Sequence, residues 1–218
     1  MDNDIFENGW NRDNAYIFGW IMSDGCLKLE GRNKTSYAVR ICSNDLDIIK
    51  WLHGCLCVGN KIYSQSKNGY QIKFRNEKSI LFMIGYGLKE RKSLDVKFPS
   101  IPDAFIGDFI RGYFDGNGSI IMRTNRYNTY AQVSFTSGSM DFLESMKSVF
   151  ELHGIESHLY KDNRPSNRSY YLRIIKRSEI EKVFSLMYSD VNKDALLSRK
   201  YMKFLNYLDC KPKYNITA

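Results

Sequence analysis

The sequence contains little proline, little histidine and no long apolar run, and these shortages exclude several classes of protein. Its 218 residues include 4 prolines and 3 histidines. No uninterrupted apolar stretch approaches the roughly 20 residues that cross a bilayer, so a membrane protein is not expected. The N-terminus, Met-Asp-Asn-Asp-Ile-Phe-Glu, is acidic and lacks the basic and apolar blocks of a secretory signal. We therefore expect an intracellular protein, cytoplasmic or organellar and not secreted.

The cysteines and histidines also lack the spacing of a functional site. The closest cysteines, Cys55 and Cys57, are separated by a single residue, which matches no common zinc or redox motif. No histidine pairs with a carboxylate or a cysteine at metal-ligand spacing, so we predict buried thiols and no zinc site. A phosphate-binding metabolic enzyme would need a glycine-rich loop or a nucleophile constellation, and neither is present.

The balance of charge favours a polyanionic partner. Lysine and arginine total 32 against 24 aspartates and glutamates, which gives a formal net charge of +8. An excess of this size is the electrostatic signature of a nucleic-acid binder, although a generic basic surface has the same composition. Nucleic acid is therefore the leading candidate partner.

The sequence repeats itself, and the repeat organises the whole chain. Residues 17–25 align with residues 110–118 at an offset of 93. Later segments keep the same order and nearly the same spacing: 39–43 aligns with 133–137, 46–49 with 140–143, and 70–73 with 170–173. Two homologous halves follow. We place them at residues 1–90 and 104–218, joined by a linker at 91–103.

Each half has the same predicted order of elements, αββαββα. A helix is predicted over 14–23, capped by Asp13 or Asn14, and strand-like alternation follows at 37–41 and 132–136. Helical spacing recurs at 45–56 and 139–152, and the remaining strands are predicted at 61–64, 70–75, 158–160 and 170–175. Polar breaks at 67–69 and 163–167 indicate hairpin loops, while Pro99 and Pro102 exclude a continuous helix across the linker. The fold class is α/β (mixed α+β) with antiparallel pairing.

Residues 108–120 carry a resemblance to a known family. They read Asp-Phe-Ile-Arg-Gly-Tyr-Phe-Asp-Gly-Asn-Gly-Ser-Ile, which resembles the LAGLIDADG motif of homing endonucleases, and residues 19–25 resemble a divergent first copy. Two copies, each heading the same order of elements, extend the resemblance over nearly the whole chain. It implies a monomer of two pseudo-symmetric αββαββα halves, whose antiparallel sheets form a saddle on double-stranded DNA. It also implies an endonuclease that reads a long site in the major groove and hydrolyses phosphodiester bonds.

The two motif helices carry small residues where they are expected to meet. Gly19 and Ser23, and likewise Gly112 and Gly116, stand four apart on one helical face, which allows two backbones to approach closely. The helices can then end side by side at the DNA.

The resemblance assigns the ends of these helices to catalysis and metal binding, at Asp24 in the first motif and Asn117 in the second. Carboxylates there would hold a divalent cation, Mg²⁺ or another such as Mn²⁺ or Ca²⁺, which can generate hydroxide and stabilise the leaving oxygen. The family has aspartate at this position, and the amide of Asn117 lacks the charge that recruits the cation. Three explanations are open: a natural protein that nicks or does not cleave, a chain altered to trap a complex, or an amide that serves as ligand. The neighbouring Asp115 is expected to accept hydrogen bonds at the helix end.

Strand parity predicts which side chains face the DNA. If Val39, Ile41, Val133 and Phe135 face the core, their neighbours face the groove, where Arg and Gln can read guanine and adenine edges. The candidates for base or phosphate contacts are Lys28, Arg32, Lys34, Arg40, Lys61, Tyr63, Gln65, Lys73, Arg75, Arg123, Arg126, Gln132, Ser134, Arg164, Arg168 and Arg173. The resemblance further implies accessory residues around the metal, for which the candidates are Ser43, Asn44, Lys92, Thr136 and Ser137.

The function predicted from the sequence is therefore a metal-dependent, site-specific endodeoxyribonuclease. Because of Asn117, a second reading is kept: a non-cleaving nucleic-acid binder on the same fold, such as an intron RNA maturase or a DNA-binding regulator. The sequence shows no flanking splicing segments, so an intron-encoded or free-standing protein is expected.

Overall fold

The structure is a computed structural model that describes residues 2–31, 36–56, 59, 61–65, 69–126, 128–164, 168–189, 191 and 193–210. The elements of the first half are α1 (Arg12–Asp24), β1 (Cys26–Glu30), β2 (Ser36–Ser43), α2 (Leu46–Leu56), β3 (Tyr63–Gln65), β4 (Gly69–Phe74) and α3 (Glu77–Gly85). A 3₁₀ turn at Lys92–Leu94 follows. Those of the second half are α4 (Asp103–Asn117), β5 (Gly118–Thr124), β6 (Thr129–Ser137), α5 (Met140–Leu152), β7 (His158–Lys161), β8 (Tyr170–Ile174), α6 (Arg177–Tyr188) and α7 (Ser198–Asp209). The mixed α/β repeat αββαββα is confirmed, and α7 is an addition that the sequence patterns did not predict.

Each half of the described chain builds a four-stranded antiparallel sheet. The strand orders are β1-β2-β4-β3 and β5-β6-β8-β7, so the two sheets have the same topology. Val39, Ile41, Val133 and Phe135 are fully buried, as strand parity predicted. Their neighbours therefore lie on the opposite face of each sheet, away from the helices that cover the core.

The start of α1 differs from the sequence prediction. The helix begins after Asn11, whose side chain accepts a hydrogen bond from the Asn14 backbone N–H at 2.9 Å, while the Asn14 side chain accepts one from the Asn11 N–H at 2.9 Å. This reciprocal capping box satisfies two N–H groups that the first turn leaves free. Asp13 and Asn14, the predicted caps, lie inside the helix because two asparagines three apart cap each other. The Asn14 amide also donates to the carbonyls of Ile5 and Gly9, both at 2.8 Å.

The motif helices α1 and α4 pack against each other through glycine. A Cβ at Gly19 would lie 2.1 Å from the Phe109 carbonyl oxygen, and one at Gly112 would lie 2.0 Å from the Tyr16 carbonyl oxygen. Both distances are far below carbon–oxygen contact, so only glycine permits this backbone approach. The small-residue face that the sequence predicted is the contact between the two halves.

Some sequence predictions lie outside the described residues. They concern the side chains of Arg32, Lys34 and Gln65 and parts of the two hairpin loops. Among the described residues, no helix is both long enough and apolar enough to span a membrane.

Candidate active site and nucleic-acid interface

The end of α1 presents Asp24 to solvent beside the end of α4. The Gly25 N–H donates to the Ile21 carbonyl at 2.9 Å and closes the helix, so Asp24 is its last residue. A Cβ at Gly116 would lie 1.8 Å from the Ser23 hydroxyl oxygen and 3.4 Å from a carboxylate oxygen of Asp24. The lack of a side chain at Gly116 therefore brings the two helix ends together at Asp24, as the sequence predicted.

Two lysines hold these helix ends, Lys92 in the linker and Lys200 in the second half. Lys92 Nζ donates to the carbonyls of Gly25 at 2.5 Å and Ser23 at 3.4 Å. Lys200 Nζ donates to the carbonyls of Phe114, Asp115 and Gly118 at 2.6, 2.8 and 2.7 Å. A cation at a helix C-terminus satisfies free carbonyls and complements the helix dipole. Each lysine thus places a buried positive charge behind one motif end.

The internal repeat extends to these lysines. Residues 88–92 read Leu-Lys-Glu-Arg-Lys and residues 196–200 read Leu-Leu-Ser-Arg-Lys, an alignment at an offset of 108. Lys92 was a predicted accessory residue, and the structure places it at Asp24. Lys200 was missed, although the shared Arg-Lys pair was a signal that could have revealed it.

The electrostatics of the site reflect this arrangement. Partial desolvation raises the pKa of the Asp24 carboxyl, and the nearby charges of Lys92 and then Lys200 oppose the rise. Burial lowers the pKa of Lys200 to about 8 and also lowers the pKa of Lys92. The carboxylates of Asp24 and Asp115 oppose this lowering, at Lys92 and Lys200 respectively, because a nearby negative charge favours the protonated amine.

Asn117 is the last residue of α4, as Asp24 is of α1, but it carries an amide in place of a carboxylate. Its amide nitrogen lies 3.4 Å from the Ser23 carbonyl, and the side chain also hydrogen bonds with Tyr113. Among the described residues, no three His, Cys, Asp or Glu side chains gather at metal-binding distance. The donor set here is one carboxylate, one amide and nearby carbonyls, which are oxygen ligands of the kind that hard cations take. The residues fit one divalent cation at Asp24 better than a pair.

Asp115 has the structural role expected of it. Its carboxylate is buried and accepts hydrogen bonds from the Tyr16 hydroxyl at 2.8 Å and the Leu197 N–H at 2.9 Å. Burial raises its pKa to about 6, and Lys200 opposes that rise. Through one carboxylate oxygen, the residue ties α4 to α1 and to the chain entering α7.

The predicted accessory residues separate into two groups. The hydroxyls of Ser43 and Ser137 each accept a backbone N–H two residues on, at 3.1 Å, and so shape the starts of α2 and α5. The Thr136 carbonyl accepts the Tyr113 hydroxyl at 2.9 Å. Only Ser43, Asn44 and Lys92 border Asp24; the first two share with it an open cavity of about 310 Å³.

An ion pair between the halves lies beside that cavity. Arg199, at the start of α7, makes a forked contact with the Asp45 carboxylate, with three nitrogen–oxygen distances of 3.1 Å. Arg199 belongs to the same repeated Arg-Lys pair as Lys200. The added helix α7 therefore carries one residue that holds a motif end and one that joins the two halves.

In the first half, three predicted DNA contacts converge on one carboxylate. Glu30 accepts Arg40 at 2.6 Å, Arg75 at 3.5 Å and Lys73. The hydrogen bond from Lys73 is the largest cause that lowers the Glu30 pKa to about 2, with Arg40 contributing. The cations are thereby fixed side by side on the open face of the sheet. The candidates Lys28, Lys61 and Tyr63 are exposed in the same half.

In the second half, the predicted cations are held differently. The Arg173 guanidinium lies over the rings of Tyr160 and Tyr171, 4.5 and 5.1 Å from their centroids. Arg164 is paired with Asp162 at 2.7 Å, and the Tyr171 hydroxyl donates to the same carboxylate at 2.9 Å. Arg123, Arg126 and Arg168 are exposed.

One predicted contact residue is not accessible. Ser134 lies on the open face by register but is only 4% exposed, and its hydroxyl accepts the Gln132 amide at 3.0 Å. Gln132 is two residues earlier on β6 and Arg173 is the register partner of Ser134 on β8, so two longer side chains flank this short one on the same face. Ser134 therefore positions Gln132 and does not itself reach a ligand.

The prediction of buried thiols is also wrong for part of the chain. Cys26 and Cys42 are exposed, and Cys55 and Cys210 are half-buried. Both exposed thiols lie on the open face of the first sheet, where Cys26 pairs with Arg40 in the register and Cys42 borders the Asp24 cavity. Desolvation raises the pKa of the Cys42 thiol, with Cys26 and Asp24 adding to the rise. The prediction rested on the general tendency of cysteine to be buried. The alternation of the two strands instead directs the Cys26 and Cys42 side chains to the open face.

Known proteins resemble this arrangement. The family model of the LAGLIDADG-like domain matches residues 104–187. Curated relatives are a "Probable translation initiation factor IF-2" of Methanocaldococcus jannaschii, 27% identical over 208 residues, and one of the same name from Thermococcus kodakarensis, 26% identical over 133 residues. The matches cover 87% and 57% of this chain but only 16% and 11% of those proteins, so the chain spans about a sixth of their length or less.

Solved structures share the fold over most of both chains. I-AabMI, a LAGLIDADG meganuclease bound to uncleaved DNA, is 15% identical with a TM-score of 0.63 and coverage of 91% of this chain and 89% of its own. I-SmaMI, bound to an uncleaved DNA target in the presence of calcium ions, is 12% identical with a TM-score of 0.60 and coverage of 90% of each chain. A variant of I-DmoI with its target DNA and manganese is 20% identical, with a TM-score of 0.61 and coverage of 84% and 97%. The chain therefore contains a LAGLIDADG-like domain at residues 104–187 and has, over both halves, the fold of the single-chain LAGLIDADG homing endonucleases.

Proposed function

We propose that this protein binds a long double-stranded DNA site as a monomer and carries a metal-dependent endonuclease site at the ends of α1 and α4. The observation that carries the proposal is the meeting of Asp24 and Asn117 between two buried lysines, at the edge of a cation-bearing sheet face. Similar proteins of this fold are described as bound to DNA, with calcium or manganese present in some. Magnesium or another divalent cation is the proposed cofactor.

The side chains at this site have different proposed roles. Asp24 and the Asn117 amide oxygen would hold the cation, which when bound supplies positive charge to the scissile phosphate and lowers the pKa of an attacking water. Lys92 and Lys200 keep the two helix ends in place and add fixed positive charge close to where the phosphate would lie. The cations on the sheet faces align the duplex and make binding sensitive to salt.

Asn117 limits what this sequence does. One carboxylate offers less charge than two for recruiting cations, and hydrolysis of both strands needs a competent site for each strand. We therefore propose that the protein nicks its target or leaves it uncut, and that the second strand becomes cleavable when the carboxylate is restored.

The test is cleavage of a supercoiled plasmid that carries the protein's own insertion locus, with magnesium present. The protein as written, Asn117→Asp, Asp24→Asn and the control Asp47→Asn are compared; Asp47 is an exposed carboxylate in the first turn of α2. We expect linear product from Asn117→Asp and no cutting by Asp24→Asn. The unsubstituted protein and the control should give nicked or uncut plasmid. If the control nicks the plasmid, equal nicking by Asp24→Asn would overturn the assignment of Asp24. If the control leaves the plasmid uncut, linear product from the double variant Asp24→Asn with Asn117→Asp would overturn it.

A second function is favoured by one observation, the missing carboxylate at position 117. A non-cleaving binder on the same fold, acting as an intron RNA maturase or a DNA-binding regulator, needs the cationic sheet faces but not the metal. Tight, specific nucleic-acid binding combined with no cleavage by any variant would support that function and reject the nuclease.

A further inference from the structure

The open face of the second sheet contains an apolar pocket among its cations. Ile121, Tyr130 and Ile175 are large side chains that are 46%, 53% and 50% exposed. Together with Arg123, Ala131 and Gln132 they line a cavity of about 180 Å³. Ile120 and Ile174 are buried in the core, so their neighbours Ile121 and Ile175 must face the open side.

The first half shows that the fold does not require this pocket. At the repeat offsets of 93, 94 and 100, the positions of Ile121, Tyr130 and Ile175 correspond to Lys28, Ser36 and Arg75. The first sheet thus has polar or charged side chains where the second sheet has exposed apolar ones. Because both sheets have the same topology, the difference concerns what each face contacts and not how the sheet is built.

The surroundings of the pocket indicate the chemistry of its ligand. Gln132 pairs with Ile121 across β5 and β6, and Arg123 pairs with Tyr130, so groups able to read adenine and guanine edges border the apolar surface. The 5-methyl group of thymine is the apolar group that base pairs present in the major groove. Opposite a base edge that lacks this methyl group, the apolar surface of Ile121, Ile175 and Tyr130 would remain in contact with water.

We infer that Ile121, Tyr130 and Ile175 form a subsite for the 5-methyl group of a pyrimidine, which makes the second half of the protein select thymine at one or two positions of its DNA site. This inference rests on the proposed DNA binding. It makes recognition by the two halves chemically different: the first uses a charged cluster around Glu30, and the second combines polar groups with methyl-sized apolar contacts.

The test begins by selecting bound sequences from a pool of randomised duplexes with the full chain. Each thymine of the selected site is then replaced in turn by deoxyuridine, which removes only the methyl group. Dissociation constants are measured for the wild type, Ile121→Ala, Ile175→Ala and the control Leu152→Ala; Leu152 is 87% exposed on α5, outside the sheet.

We expect deoxyuridine at one or two positions to weaken wild-type binding about fourfold per methyl group, which corresponds to about 0.8 kcal/mol. The Leu152→Ala control should show the same loss, whereas Ile121→Ala and Ile175→Ala should bind thymine and uracil duplexes almost equally. A selected site at which no uracil matters, or at which both variants keep the full methyl effect, would overturn the subsite while the proposed function stands.

Two other outcomes would also reject the proposed subsite. If no duplex is enriched, the proposed DNA binding fails and the subsite fails with it. If Ile121→Ala changes the mass of the free protein in sedimentation and the methyl groups have no effect, the pocket is a contact between copies of this chain.

Discussion

Replacing Gly112 with alanine should separate the two motif helices and destabilise the protein. The added Cβ would lie 2.0 Å from the Tyr16 carbonyl oxygen, 2.9 Å from its carbonyl carbon and 3.0 Å from the Trp20 nitrogen. All three atoms belong to the backbone of α1, so no side-chain rotation can relieve the overlap. The helices must move apart by about 1 Å or more, which loosens a core that packs at crystal-like density.

The expected loss of stability can be expressed as a change in melting temperature. Overpacking of a core typically costs about 1–3 kcal/mol, and we expect the upper end because backbone must move on both sides of the contact. For a chain of this size, each kcal/mol lowers the melting temperature by roughly 2–4 °C, so Gly112→Ala should melt about 6–12 °C below the wild type.

A matched control is available within the same chain. Gly54 lies in the interior of α2, and a Cβ there would meet nothing within 4 Å. Gly54→Ala should therefore stabilise the protein by about 0.5–1 kcal/mol, through the better helix propensity of alanine. The assay is thermal unfolding followed by circular dichroism. If Gly112→Ala melts at or above the temperature of Gly54→Ala, the close contact of α1 and α4 is refuted.

Three further predictions concern the open face of the first sheet. Lys73 and then Arg40 hold the Glu30 pKa at about 2, below its usual 4.5. Ionised Glu30 therefore contributes stability that is present above pH 4.5 and is lost as the pH falls toward 2. The difference in urea unfolding between the wild type and Glu30→Gln should shrink over that window, and a constant difference would contradict the ion-pair cluster. The same substitution frees cations for phosphate, so binding to non-specific DNA should depend more steeply on salt, by about 0.9 in the log–log slope for each new phosphate contact; an unchanged slope would show that Glu30 does not restrain them. Bound duplex should protect Cys42 from alkylation, measured by mass spectrometry, and leave Cys210, directly after α7, as reactive as before. Equal labelling of Cys42 with and without DNA would place the duplex elsewhere.

Local patterns were sufficient to predict the repeat and most of its elements. Apolar periodicity is a property of consecutive residues, so the helix at 139–152 and the strand at 70–75 were predicted to within a residue or two of α5 and β4. The asparagine pair Asn11 and Asn14 was missed because either residue alone is also a plausible cap.

The site depends on contacts between residues far apart in the chain. Lys200 lies more than 80 residues from the carbonyls it binds, and Lys92 lies 67 and 69 residues from its own. A lysine at a helix start has no local signature of such a role. The buried position of Ser134 and the convergence of three cations on Glu30 likewise follow from which strands are neighbours.

By itself, the sequence determined the two halves, the parity of their strands and the small residues that let α1 and α4 meet. These features follow from residue spacing, because helix and strand periods convert spacing directly into direction. Only the tertiary structure decided that Asp24 faces an amide between two buried lysines, that α7 ties the halves together through Arg199, and that one sheet face is charged while the other holds an apolar pocket. The physical reason is that charge, desolvation and cavity shape belong to groups that share a space, and folding brings those groups together from distant parts of the chain.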